Sequence, residues 1–356
     1  MVALLVLVVF VAVAVAVPAA LRAKGPDPPR AAAGTTSSPA AFPSVTSTSG
    51  PTSTVEQVVT PAIAEQLKAN ELGRIPVLMY HRIGEGDRPP DGLRDDIVRL
   101  KKAGFYPTTV REMVEGAMDI PAGKSPVVLT FDDSSPTHYR ILDDGSLDPD
   151  CAIAILQAAV AAGDWAPKAT FFPLLYVNPP ANIVFGQPEH AEQKLRNLVE
   201  WGYEIGSHSM THQDLSVAGP DLVGKELAQS KAKLEALIGD GYEVYTLAPP
   251  YGEYPDDVSI LLDGEHEGVA YRYSAVVKAW GDSAPSPFSS KFDSVRIPRI
   301  TAAPPKAVAD LLAYFERYPK LRFVSDGDPG TLSFPQELPS ELGDLRSDLD
   351  LRVVRY

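Results

Sequence analysis

The sequence predicts an α/β fold, an irregular (β/α)7-type barrel. Two observations lead there. From about residue 74 onward, short apolar runs alternate with amphipathic stretches, the mark of repeated βα units. Seven such runs and about five helical patterns over roughly 270 residues suit one barrel better than two separate domains. With 356 residues, 45% of them hydrophobic, the chain can bury a sizeable core. An open doubly wound sheet is the alternative topology.

The elements follow in order. Residues 1–21 carry no charge and fit either a signal-peptide apolar region or one membrane-spanning helix. No basic region precedes them, as when a leader lies upstream, and Arg22 and Lys24 follow. Residues 1–24 are therefore expected to be a signal peptide or membrane anchor, the only membrane contact, with the rest exported: extracellular, or anchored and facing the cell wall. Residues 25–60 are rich in Pro, Ser, Thr, Ala and Gly and read as a disordered linker.

Strands are expected at 75–81, 126–131, 168–172, 203–206, 242–248, 269–277 and 321–325. Helices are expected at 91–104, where Leu93, Ile97 and Leu100 share a face, and at 221–238, where Leu222, Leu227, Leu234 and Ile238 do. The stretches 150–162, 189–201 and 305–317 also read as helices. The expected catalytic domain spans 74–335, and the tail 336–356 shows charge alternation without a motif.

Composition excludes several classes. The single cysteine, Cys151, rules out an internal disulfide framework and a cysteine-rich zinc site. Beyond residue 60 the chain has 29 basic against 44 acidic residues, which argues against nucleic acid as a partner. A monomer is the expected form.

Chemistry concentrates at strand ends. "TFDD" closes the second expected strand with two adjacent acids, Asp132 and Asp133. Side chains alternate along a strand, so two neighbours can share a site only where the strand stops and the chain turns. Ser134, Ser135 and Pro136 supply that turn. "GSHSMTH" at 206–212 follows another strand end and spaces His208 and His212 four apart, which in a helix puts both imidazoles on one face. Taken alone, the pair also fits a surface or capping role. Two histidines and one carboxylate make a facial metal site with open positions. A cation on Asp133 also explains the adjacent acids: it neutralises one of them and leaves Asp132 ionised as a general base.

"TFDD", "HSMTH" and "PPYG" (249–252), in that order, resemble the NodB-type polysaccharide deacetylases, carbohydrate esterase family 4. "PVLMYHRI" (76–83) is similar to the opening strand of many exported members. The resemblance implies that Asp132 is the base and that Asp133, His208 and His212 hold a divalent ion, Zn2+ first, with Co2+, Ni2+ or Mn2+ also possible. It implies an oxyanion donor in the backbone N–H of Tyr251 and, as substrate, an N-acetylglucosamine-type polysaccharide that loses acetate.

Three positions depart from the family pattern. Ala248 stands where an arginine usually orients the catalytic aspartate. "VVKAWGDS" (276–283) offers only Trp280 and Asp282 for a late Asp-Asp-Trp motif. No histidine follows His266, so the late Leu-x-His acid is absent. His81, ending the first strand, is similar to the acid of the biofilm poly-N-acetylglucosamine deacetylases, with a packed strand-end histidine as the alternative. Asp326 could orient that imidazole, and Arg299 could replace the missing arginine. His138, His190 and His266 read as surface residues; Tyr251 and Trp280 read either as sugar-groove aromatics or as core or rim aromatics. Two further functions stay open: a catalytically impaired glycan-binding protein and an O-acetyl (xylan-type) esterase.

Overall fold

The computed structural model describes residues 58–84, 86–177 and 183–356. The expected anchor (1–24) and all but the last residues of the linker (25–60) lie outside the described residues. No helix among the described residues is long and apolar enough to cross a membrane. The strands are β1 (Val77–Tyr80), β2 (Phe105–Thr108), β3 (Ser125–Asp132), β4 (Thr170–Phe172), β5 (Glu204–Ile205), β6 (Thr246–Leu247), β7 (Asp263–His266), β8 (Val269–Arg272), β9 (Ala275–Val276), β10 (Ile300–Thr301), β11 (Thr331–Phe334) and β12 (Arg352–Arg355). The α-helices are α1 (Pro61–Leu67), α2 (Pro90–Lys102), α3 (Val110–Glu115), α4 (Ala152–Ala161), α5 (Ala191–Glu200), α6 (Pro220–Ile238) and α7 (Ala307–Arg317).

Parallel pairing runs β10-β1-β3-β4-β5, and β6 pairs β9. Isolated parallel bridges close the remaining gaps, Ser207 to Leu247 between β5 and β6, and Val277 to Ile297 just ahead of β10. Seven parallel strands thus form a ring. β2 adds to the outside of β3, and β7 and β8 make an antiparallel hairpin.

Every residue of β3 is buried, as expected for a parallel strand covered on both faces. Alternation sends Leu129 and Phe131 to the helix layer, where Tyr80 and Phe171 stack on Phe131 at ring-centroid distances of 5.3 and 4.8 Å. Val128, Thr130 and Asp132 face the other way, into the ring. Lower in the interior, Glu204 accepts hydrogen bonds from the hydroxyls of Thr170 and Thr246, each at 2.7 Å, and from the Arg111 amide at 3.0 Å. Burial pushes its carboxyl up despite these donors.

The expected helices appear within a few residues of their predicted bounds, α2 burying Leu93, Ile97 and Leu100. On α6 the core stripe is Val223, Leu227, Leu234 and Ile238; Leu222, expected in that stripe, is exposed. Two strand expectations need correction. Residues 269–277 divide into β8 of the hairpin and β9 of the ring, because Tyr273 and Ser274 break the run. Residues 321–325 form no ring strand; they make only isolated bridges to Asn70 and Arg74, and β10 takes the seventh place. The tail contributes β12, which pairs parallel with β11, and the Tyr356 hydroxyl donates to the Ala69 carbonyl at 2.9 Å.

His138, expected at the surface, is fully buried. Its ring meets Phe131, Phe171 and Phe185 edge-on, with centroids 5.4, 6.3 and 6.2 Å away. Burial lowers its pKa to about 4. A base whose folded pKa lies below the unfolded value of about 6.5 contributes stability above that pH and loses it as pH falls toward the folded value. Urea unfolding of His138→Leu should accordingly show a smaller loss of stability between pH 6.5 and pH 4 than wild type; identical losses would contradict the buried neutral imidazole.

Candidate metal centre

Asp132 is the last residue of β3, pointing into the ring, and is fully buried. Asp133 and Ser134 follow with φ of 72° and 50°, two successive non-glycine residues in the left-handed region. This turn swings the second carboxylate onto the same rim as the first. The Ser134 hydroxyl pins it by donating to the Leu174 carbonyl at 3.1 Å.

His208 and His212 leave the end of β5 on a loop; the segment is not helical. Ser209 and His212 take φ of 66° and 59°, and the two imidazoles meet with centroids 5.0 Å apart. Their Nε2 atoms lie 3.2 Å (His208) and 3.4 Å (His212) from Asp133 Oδ1. Among the described residues, Asp133, His208 and His212 form the one trio of such side chains whose ligand atoms fall within 4.8 Å of one another.

The donor set fits a divalent ion. His208 Nδ1 sits 2.6 Å from the Ala248 carbonyl, an acceptor, so the proton belongs on Nδ1. That leaves the Nε2 lone pair facing a carboxylate oxygen, a repulsive contact unless a cation or a proton lies between them. Burial opposes ionisation of Asp133, but hydrogen bonds from His208 and His212 hold its carboxyl well below the usual range. Burial likewise opposes protonation of His208, yet the hydrogen bond to Asp133 and the charge of Asp132 raise its pKa overall. Both shifts say that positive charge is stabilised here.

Arg299 contacts the first acid directly. Its guanidinium grips Asp132 with two parallel bonds, Nη1 to Oδ1 at 2.8 Å and Nη2 to Oδ2 at 2.7 Å. Nε donates to the Lys278 carbonyl at 2.5 Å and Nη1 also reaches the Thr130 hydroxyl at 3.1 Å. Burial works to raise Asp132, and the guanidinium outweighs it, keeping the carboxyl below its ordinary value.

His81, Asp132, Asp133, His208, His212, Pro249, Tyr251, Gly252, Ala279 and Arg299 line one cavity of about 140 Å³. His81 thus lies on the same rim as the acids, at the end of β1, whose preceding Tyr80 donates its buried hydroxyl to Asp96 at 3.1 Å. Tyr251 is exposed, has φ of 59°, and packs edge-on against His212 at 4.6 Å. Gly252, also left-handed, is obligatory because a Cβ would collide with Ala279.

Asp326 is not at this rim. It is buried beside Glu71 at the opposite end of the ring, accepting from the Ser333 hydroxyl at 2.5 Å and the Asp328 amide at 2.8 Å, so it does not orient His81. Asp282 lines a side groove with Arg74 and Tyr314, while Trp280 is exposed. His266 is partly buried on β7, 3.5 Å from Asp221. The sequence reading passed over Glu226, a buried acid on α6 that accepts hydrogen bonds from the His208–His212 loop. An acid beside Leu227 on an apolar helix stripe was the signal for it.

Residues 119–264 match the family model for polysaccharide deacetylase. A putative polysaccharide deacetylase, YxkH, of Bacillus subtilis (strain 168) is 22% identical over 199 residues, 54% of this chain and 61% of that protein. A chitooligosaccharide deacetylase of Sinorhizobium fredii (strain NBRC 101917 / NGR234) is 28% identical over 136 residues, 38% of this chain and 55% of that protein. The chain therefore spans 55 to 61% of the length of these curated relatives. Among solved structures, IcaB from Ammonifex degensii shares the fold, with a TM-score of 0.50 and 18% identity over 68% of this chain and 97% of that one. His81 and Arg299 both lie outside the matched span.

Removing one partner of the buried Arg299–Asp132 pair should cost about 3–5 kcal/mol. In Arg299→Met, burial is left to act on Asp132 without its counter-ion. Its folded pKa then rises above the unfolded one, and stability is lost as pH rises through it, whereas in wild type the depressed carboxyl contributes stability that is lost only as pH falls. Denaturant titrations should place the variant's deficit larger at pH 7.5 than at pH 5; an equal deficit would refute the assignment.

Proposed function

We propose, from the match of residues 119–264 to the polysaccharide deacetylase family model, that this chain is a metal-dependent hydrolase that removes N-acetyl groups from an N-acetylglucosamine-type polysaccharide outside the cell. One observation carries the reading: an acid held ionised by Arg299 stands beside a two-histidine, one-carboxylate donor set in a single cavity. The name of the Sinorhizobium relative favours an amino-sugar oligomer as substrate class. The uncharged N-terminal segment favours export or a membrane tether at the cell wall.

Asp133, His208 and His212 would hold the ion, Zn2+ in the first instance. Lewis acidity toward the acetamide oxygen and a water made acidic enough to lose its proton near neutral pH are what such an ion supplies when bound. Asp132 takes the proton of the attacking water, and the Arg299 fork keeps both of its oxygens fixed for that task. The backbone N–H of Tyr251 donates to the oxygen on which charge develops. His81 donates a proton to the sugar nitrogen as the C–N bond breaks, so acetate and a free amine leave. The Arg299–Asp132 pair speaks against a binding-only protein, since a guanidinium in that place can orient the acid in the way position 248 does not.

Metal content and acetate release from N-acetylglucosamine oligomers test the reading. Asp133→Ala should lose both, and metal retained at full stoichiometry in that variant would end the proposal. Asp132→Asn should keep its metal while acetate release falls at least about 100-fold, the scale of a lost general base. Acetate released from acetylated xylan, with none from the amino-sugar oligomers, would assign the site to an ester instead.

A further inference from the structure

The loop from His208 to His212 contains no helical turn, and two of its five residues sit in the left-handed region, so the backbone does not hold its own shape. Within the loop, Ser207 Oγ accepts from the Ser209 amide at 3.3 Å and Ser209 Oγ from the His212 amide at 3.1 Å. The middle of the loop hangs from a different element. Glu226, on α6 and 3% exposed, accepts at Oε2 from the amides of Met210 (3.0 Å) and Thr211 (2.7 Å). Its Oε1 accepts from the Thr211 hydroxyl at 2.6 Å.

All three hydrogen bonds recorded for this carboxylate come from the two residues midway between the histidines. Burying an acid is costly unless donors compensate it. An apolar residue beside Leu227 would pack into the same stripe without that cost, so the acid is accounted for by the loop it holds. Consecutive amides converging on one oxygen fix the two successive peptide planes on either side of Met210, and with them the spacing of the two imidazoles.

We propose that Glu226 is a positioning residue for the metal centre: its buried carboxylate sets the shape of the His208–His212 loop and so the geometry in which both imidazoles meet one ion. The inference rests on the metal-centre reading given under the proposed function. It differs from a plain helix-to-loop staple in what it moves, namely ion affinity and coordination geometry measured without substrate.

The experiment is a competitive titration of chelator-stripped protein with Zn2+, together with the visible absorption spectrum of the Co2+ form, for wild type, Glu226→Gln and Glu226→Ala. Glu226→Ala should bind Zn2+ 10- to 100-fold more weakly, the usual effect of losing a group that orients a ligand, and should alter the Co2+ bands. Glu226→Gln should recover most of the affinity, since its amide oxygen still accepts from both N–H groups and its NH2 can donate to the Thr211 hydroxyl. Zn2+ affinity of Glu226→Ala within twofold of wild type, with an unchanged Co2+ spectrum, would overturn the inference alone. Glu226→Gln binding as poorly as Glu226→Ala would also overturn it, because charge and not loop shape would then be at work. Should Glu226→Ala fail to fold, Glu226→Gln against wild type still decides: near-wild-type affinity and spectrum are required. Wild type taking up neither ion would sink the metal-centre reading and this inference with it.

Discussion

The Arg299–Asp132 ion pair is the constraint on which the rim is built. Two neighbouring carboxylates in a buried position repel, and desolvation opposes ionising either of them. A guanidinium fork that is itself almost wholly buried neutralises the first and leaves the second, Asp133, to the histidines. The fork also ties the residue just ahead of β10 to the end of β3, past β1, while its Nε donates to the Lys278 carbonyl just after β9. Geometry of the site and closure of the barrel are thus one set of bonds.

Around that pair the electrostatics divide by depth. Lower in the ring, Glu204 is surrounded by hydroxyls and its carboxyl is pushed up, whereas at the rim Asp132 and Asp133 are held down. Like carboxyl groups at two depths of the ring are driven in opposite directions, because burial outweighs the donors around Glu204 while the Arg299 guanidinium outweighs burial at Asp132. Separation of this kind is how a fold assigns different work to like side chains.

Local signals in the chain carried what local signals can. Paired acids at a strand end, two histidines at short spacing and the Pro-Tyr-Gly turn are visible because each is contained in a few adjacent residues. Arg299 is separated from Asp132 by 167 positions, and only the ring's closure brings them together, so the sequence offered it as one candidate among several charged strand ends. His138 sits between Thr137 and Tyr139 in a turn-rich stretch that reads as surface, yet Phe131 of the preceding strand and Phe171 and Phe185 from later segments enclose it. Asp326 was placed on the rim because 321–325 looked like a seventh strand; once β10 holds that place, the acid belongs to the other end. The helical spacing of His208 and His212 predicted their meeting, but a loop shaped from α6 achieves it instead of a helix.

The way the described chain begins and ends has a practical side. Helix α1 packs with Val354 and Tyr356, and Asn70 and Arg74 lead directly into β1. Both extremities of this folded unit therefore gather at the pole where the strands start, and the cavity lined by Asp132, Asp133, His208 and His212 opens at the pole where they finish. A support or fusion attached at either extremity would grip this unit from behind and leave the mouth of that cavity unobstructed.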